Sequence, residues 1–116
     1  MENDDEATIN LIQELNRGTL VLSVLLCTDE PGYGYSLASR LNEQGIQIEQ
    51  NTLYPLLRRL EKQGLLESRW DTTESRPRRY YSASEKGKAV RARLLEEWKG
   101  LDTALRGLEQ HKGGSE

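Results

Sequence analysis

A chain of 116 residues that is 35% hydrophobic and 30% charged has room for one domain and little apolar material with which a lone protomer could bury itself. Its longest nearly apolar stretch, Leu20 to Cys27, is interrupted by Ser23 and falls well short of the roughly 20 residues of a membrane helix. The acidic, polar N-terminus does not read as a signal peptide and the single Cys cannot staple a protomer, so a cytoplasmic protein is expected.

Residues 1–7 are acidic and polar and are expected to be disordered. Ala7 to Asn16 suits a short helix with Leu11, Ile12 and Leu15 on one face, and Arg17 and Gly18 then break it before Thr19 caps the next. Thr19 to Thr28 is apolar almost all round, as a central buried helix would be. The turn "DEPGYG" follows at Asp29 to Gly34, and a helix from about Tyr35 to Gln44 carries Leu37, Ala38 and Leu41 toward a core, with Gly45 placed to end it.

The next helix is expected to start near Asn51 or Thr52. Thr52 is favoured as its cap, because Pro55 then falls in the first turn, where a missing N–H costs nothing. Gly64 is placed to end it. Leu53, Leu56, Leu57 and Leu60 share one face, while Asn51, Pro55, Arg58 and Lys62 lie opposite, flanked by Thr52, Arg59 and Tyr54. After Gly64 the period changes to two: "LLESRWD" and "RRYYSA" read as strands around a projecting loop, Thr72 to Pro77, tipped by Arg76, Arg78 and Arg79. Ser84 is a natural N-cap for a long last helix, 84–111, and 112–116 is expected to fray.

Charge follows this order. Residues 1–16 carry five acids and no Lys or Arg, whereas residues 50–91 carry ten cations against five acids, within a net charge of -3. A nucleic-acid site responds to the local field and not to the sum. Helices, a two-stranded hairpin and a further helix form a mainly α (α+β) winged helix-turn-helix, with residues 8–83 as the DNA-binding domain. In such a domain the helix near Asn51 would enter the major groove: Arg58 can pair with a guanine, Asn51 with an adenine, Thr52 or Tyr54 can touch a thymine methyl or a phosphate, and Lys62 suits a phosphate. The wing arginines suit the backbone or the minor groove.

The last helix repeats Leu94, Trp98, Leu101, Leu105 and Leu108 at spacings of 4, 3, 4 and 3, widened by Val90 and Leu95. That is the seam of a C-terminal dimerisation helix, and a homodimer would present two reading heads to a palindromic operator. Paired copies of Trp98 could also wall a pocket for a flat, apolar effector, although plain packing explains the residue more simply.

Other chemistries find little support. "GYSLA" at Gly34 to Ala38 lacks the preceding strand that a nucleophile elbow needs, and the only His, His111, sits near the chain end. No metal or other cofactor is expected from one Cys and one His. Cys27, beside Asp29 and Glu30, lacks the electropositive setting of a reactive thiol. The competing reading from another class is a winged-helix module whose wing and helix bind protein instead of DNA.

The strings "GYGYSLASRL", "NTLYPLLRRLEKQGLLESRW", "RPRRYYSASEKGK" and "LLEEW" resemble the PadR family of bacterial and archaeal transcriptional regulators, over about Gly18 to Leu108. The resemblance implies a winged-helix DNA-binding domain followed by a dimerisation helix. It also implies repression of a neighbouring operon, often relieved by a small phenolic or drug-like molecule. Chains of the short subfamily end, as here, after one such helix. The resemblance places DNA contacts on Gln50 to Tyr54, Arg58, Arg76 and Arg78. Asn51 stands where many relatives have a small residue, so operator sequence does not carry over.

Overall fold

The computed structural model describes residues 5–111. Its elements run α1 (Glu6–Arg17), α2 (Leu20–Cys27), α3 (Gly34–Glu43), α4 (Gln50–Lys62), β1 (Leu66–Asp71), β2 (Arg78–Ala83) and α5 (Glu85–Gln110). This is a winged helix with a long C-terminal helix, and its long axis spans 65 Å. The expectations for residues 1–4 and 112–116 lie outside the described residues. Residues 5–7 are helical or capping instead of disordered: the Asp5 carboxylate accepts the Thr8 backbone N–H at 2.8 Å and starts α1 at Glu6.

The core is made of leucines from four elements. Leu25 of α2, Leu37 and Leu41 of α3, Leu53, Leu57 and Leu60 of α4, and Leu66 of β1 are all buried in one cluster with Val24 and Tyr81. Each such side chain contributes about 1.5–3 kcal/mol by leaving water, so this cluster and not any surface ion pair holds α4 in place.

Both helices of the helix-turn-helix end in the same way. Gly64 adopts φ +80°, which lets the Leu65 N–H donate to the Leu60 carbonyl at 2.9 Å and the Gly64 N–H to Glu61 at 2.9 Å; Gly45, at φ +94°, closes α3 likewise. The chain then has to reach α4. Asn42 clamps that turn, its amide donating to the Ile48 carbonyl at 3.2 Å while its Oδ1 accepts the Ile48 N–H at 3.1 Å. With Ile46 and Ile48 half-buried against the core, the helix starts at Gln50 and not at Thr52.

Two sequence expectations are corrected here. Thr52 is no cap: its backbone N–H already donates to the Glu49 carbonyl at 3.0 Å, within the first turn. Pro55 therefore lies one turn deeper than expected, where it removes the N–H that would have reached the Asn51 carbonyl. Tertiary anchoring by the two isoleucines outweighs the local capping preference that favoured Thr52.

The wing is a regular antiparallel pair from Leu66↔Ala83 to Asp71↔Arg78. Gly32 adds an isolated antiparallel bridge to β2, exchanging hydrogen bonds with Tyr81 at 3.0 and 2.8 Å. Ser84 caps α5 by accepting the Gly87 N–H at 3.0 Å, as expected. Arg91 ties α5 back to the domain, donating to Asp29 at 2.9 Å. Beyond Leu95 every apolar residue on α5 is exposed.

Candidate nucleic-acid interface

The face of α4 opposite its leucines is open. Asn51, Thr52, Tyr54, Arg58, Arg59 and Lys62 are exposed and Gln50 is half-buried. Arg58, Arg59 and Lys62 pair with no other described residue, and neither do Arg76 at the wing tip and Arg69 on the wing. Within the basic segment these cations are left for an outside anion. Arg69 was not singled out from sequence, because one Arg between Ser68 and Trp70 gives no periodic signal.

Tyr54 is partly committed to the protein. Its ring lies over Gly34 at the start of α3, so closely that a Cβ on Gly34 would stand 1.9 Å from the Tyr54 ring. Its hydroxyl donates to Gln50 Oε1 at 3.0 Å, so Gln50 and Tyr54 form one polar edge on the first turns of α4. That edge stays fixed relative to α3, which a residue reaching into a groove requires.

The wing divides its arginines. Arg76 projects from the loop. Arg78 lies 4.5 Å above the Tyr33 ring, which in turn meets Tyr80 edge-on at 5.4 Å. This stack anchors the loop-proximal half of β2 to the turn before α3. Asp71 shapes the tip: its carboxylate accepts the Thr73 N–H at 3.0 Å and the Thr73 hydroxyl at 2.8 Å. Those two bonds hold its pKa below the ordinary carboxylate value.

Arg79 does not join the basic tip as the sequence suggested. It is turned inward, donating to Glu61 Oε1 of α4 at 2.8 Å and to Ser68 Oγ at 3.0 Å. The strand alternation that set Arg79 on the same side as buried Tyr81 already contained this outcome. Its partner, 18 residues away in sequence, did not show in any local pattern. Other cations of the basic segment are also spent internally: Lys86 donates to the Gln63 carbonyl at 3.1 Å, Lys88 pairs with Glu85 at 3.5 Å, and Arg91 pairs with Asp29.

The dimer-seam candidates fall into two groups. Val90, Leu94 and Leu95 are half-buried, and Val90 and Leu94 pack on the protomer's own core. Trp98, Leu101, Leu105 and Leu108 are 43%, 60%, 60% and 69% exposed. A second bare apolar stripe runs along α1, through Ile9, Leu11, Ile12 and Leu15. The helix itself was expected, but its side chains were not assigned to an interface from sequence.

Cys27 is half-buried, and burial pushes its thiol up to about 11 from 9.0, with Arg40 pulling weakly the other way. Between pH 9 and 11 the unfolded chain releases this proton and the folded chain keeps it, so rising pH favours unfolding; below pH 9 the group contributes no pH dependence. The denaturation midpoint is thus expected to fall more steeply over that window in the parent than in Cys27→Ala. Identical pH profiles would contradict the burial argument.

Among the described residues no helix is long and apolar enough to cross a membrane. Comparison with known proteins gives a consistent picture. Residues 21–93 match the model of the transcriptional regulator PadR-like family. A transcriptional regulator of Mycobacterium tuberculosis is 33% identical over 108 residues, which cover 90% of this chain and 98% of that protein. A PadR family transcriptional regulator from Eggerthella lenta has a crystal structure that superposes with a TM-score of 0.87 at 44% identity, covering 93% of this chain and 96% of the other. A PadR-like regulator from Bacillus cereus superposes at 0.76 with 27% identity, over 85% and 99% of the two chains.

Proposed function

The chain belongs to the PadR-like family of transcriptional regulators, and from that premise we propose that it works as a homodimeric repressor that binds a palindromic duplex operator and is released by a small aromatic or drug-like effector. The observation that carries this reading is the uncovered cationic face of α4, held by buried Leu53, Leu57 and Leu60 beside an arginine-tipped wing. Residues 8–83 serve as the reading domain and residues 84–111 as the dimerisation helix.

In this reading Asn51 from the first turn of α4 and Arg58 from the third address base edges, with Gln50, Thr52 and Tyr54 beside Asn51. Arg59, Lys62, Arg76 and Arg78 lie against phosphates, and Arg69 joins them. A second copy covers the apolar stripes. Burying each large side chain contributes about 1.5–3 kcal/mol, and four on α5 with four on α1 supply more than orienting two protomers costs. Trp98, the least exposed of the outer α5 group, is where an effector held between two protomers would stack.

Gel-shift titration against the DNA upstream of the chain's own coding region, repeated across a salt series, tests the reading. Arg58→Ala is expected to cost about 1–3 kcal/mol on the preferred duplex and to relax base preference. Lys62→Ala is expected to weaken all duplexes alike and to flatten the salt slope by about one per protomer. If both variants bind every duplex as the parent does, α4 is not the reading helix.

A further inference from the structure

We propose that Glu61 is a specificity determinant of this interface: it withholds Arg79 from the phosphate backbone and, through Arg79, fixes the angle between the wing and α4. The inference rests on the DNA-binding reading above. Three side chains from three elements close a ring: Glu61 in the last turn of α4, Ser68 on β1 and Arg79 on β2. Arg79 donates through its terminal nitrogen to Glu61 at 2.8 Å and through Nε to Ser68 at 3.0 Å, while the Ser68 hydroxyl donates to the other Glu61 oxygen.

The setting makes this ring rigid. The guanidinium lies 5.5 Å from the centre of the buried Tyr81 ring and 5.9 Å from that of Trp70, which is 61% exposed and lies along its outer side. The paired side chains are only 37% and 28% exposed, and the acceptor is charged, which makes such bonds shorter and stronger than neutral ones. Each of the three bonds joins two different elements, so the wing cannot pivot on α4 without breaking the ring.

An acid at this spot is otherwise a liability. Glu61 sits next to Lys62 on a helix whose neighbours Arg58 and Arg59 face outward, and a carboxylate there repels any phosphate. Its use is to keep Arg79 out of a role that carries no sequence information. A phosphate contact strengthens binding to every duplex equally, whereas a wing held at one angle favours the duplex whose groove matches it. Loss of Glu61 then has two effects of opposite sign: tighter non-specific binding and poorer discrimination.

The probes are the duplex that the parent chain enriches from a randomised pool, and the unenriched pool itself. In Glu61→Ala the slope of log K against log salt is expected to steepen by about 0.9 per protomer, as each freed Arg79 neutralises one phosphate. Affinity for the pool rises severalfold, and the ratio of selected to pool affinity falls about tenfold, the size of one mismatched base pair. Glu61→Gln, which keeps a neutral acceptor, falls between. Arg79→Gln alone does not steepen the slope and loses discrimination, and Glu61→Ala with Arg79→Gln loses the steepening. A parental slope in Glu61→Ala, or a steeper slope that persists in the double variant, overturns the proposal while leaving the DNA reading intact. A parent that enriches no duplex overturns the DNA reading first.

Discussion

Leu101→Asp combined with Leu105→Asp is expected to convert the protein from dimer to monomer in sedimentation and to lower duplex affinity by at least about 100-fold, the loss that follows when two linked heads become independent. Both positions are 60% exposed in the protomer, so nothing in its own core depends on them. In a dimer they would lie at the seam, where an unpaired carboxylate costs several kcal/mol in place of the gain from a buried leucine. The protomer core, built on Leu25, Leu37, Leu53 and Leu57, keeps its structure, so the variant remains folded. A variant that stays dimeric with unchanged affinity would show that the α5 stripe is not what joins the subunits.

The second large effect concerns stability. Gly87 lies in the first turn of α5, where a Cβ would stand 2.0 Å from the Leu65 carbonyl oxygen. That oxygen belongs to backbone and already accepts the Ser84 N–H at 3.0 Å, so it cannot move aside without undoing the α5 cap. Gly87→Ala is expected to destabilise by about 3 kcal/mol through overpacking and to lower Tm by roughly 12–20 °C. Gly107→Ala in the same helix meets nothing within 4 Å and is expected to stabilise by up to about 1 kcal/mol. Equal thermal shifts in the two variants would remove close packing as the reason for glycine at position 87.

The contrast between these two glycines illustrates what was legible from sequence. Both sit inside a helix and both look like weak points by propensity; only the third dimension separates a needed glycine from a neutral one. Features that repeat at the period of their own element came through. The leucine face of α4, the strand alternation, the Ser84 cap and the glycine stops at 45 and 64 all rest on interactions within a few residues, and the structure has each of them.

Features decided by distant partners did not come through. The start of α4 depends on Ile46, Ile48 and the Asn42 clamp, which outweigh the local preference for Thr52 as a cap. Arg79 read as one more wing cation because its neighbours are Arg76 and Arg78, yet Glu61 claims it. The stripe on α1 was visible as a helix face, but its exposure showed only when the rest of the fold packed without it. Among the site residues, those on the outer face of α4 stand where the helical period put them, and the wing arginines divide into one projecting, one stacked on Tyr33 and one braced to α4.

The most direct measurement is the parent chain's affinity for a selected duplex as a function of salt. If a dimer meets the backbone with α4 and the wing as described, log K falls linearly with log salt at a slope of about -9, corresponding to roughly ten phosphates neutralised by Arg59, Lys62, Arg69, Arg76 and Arg78 of two protomers. No binding in dilute buffer, or an affinity indifferent to salt, would contradict it.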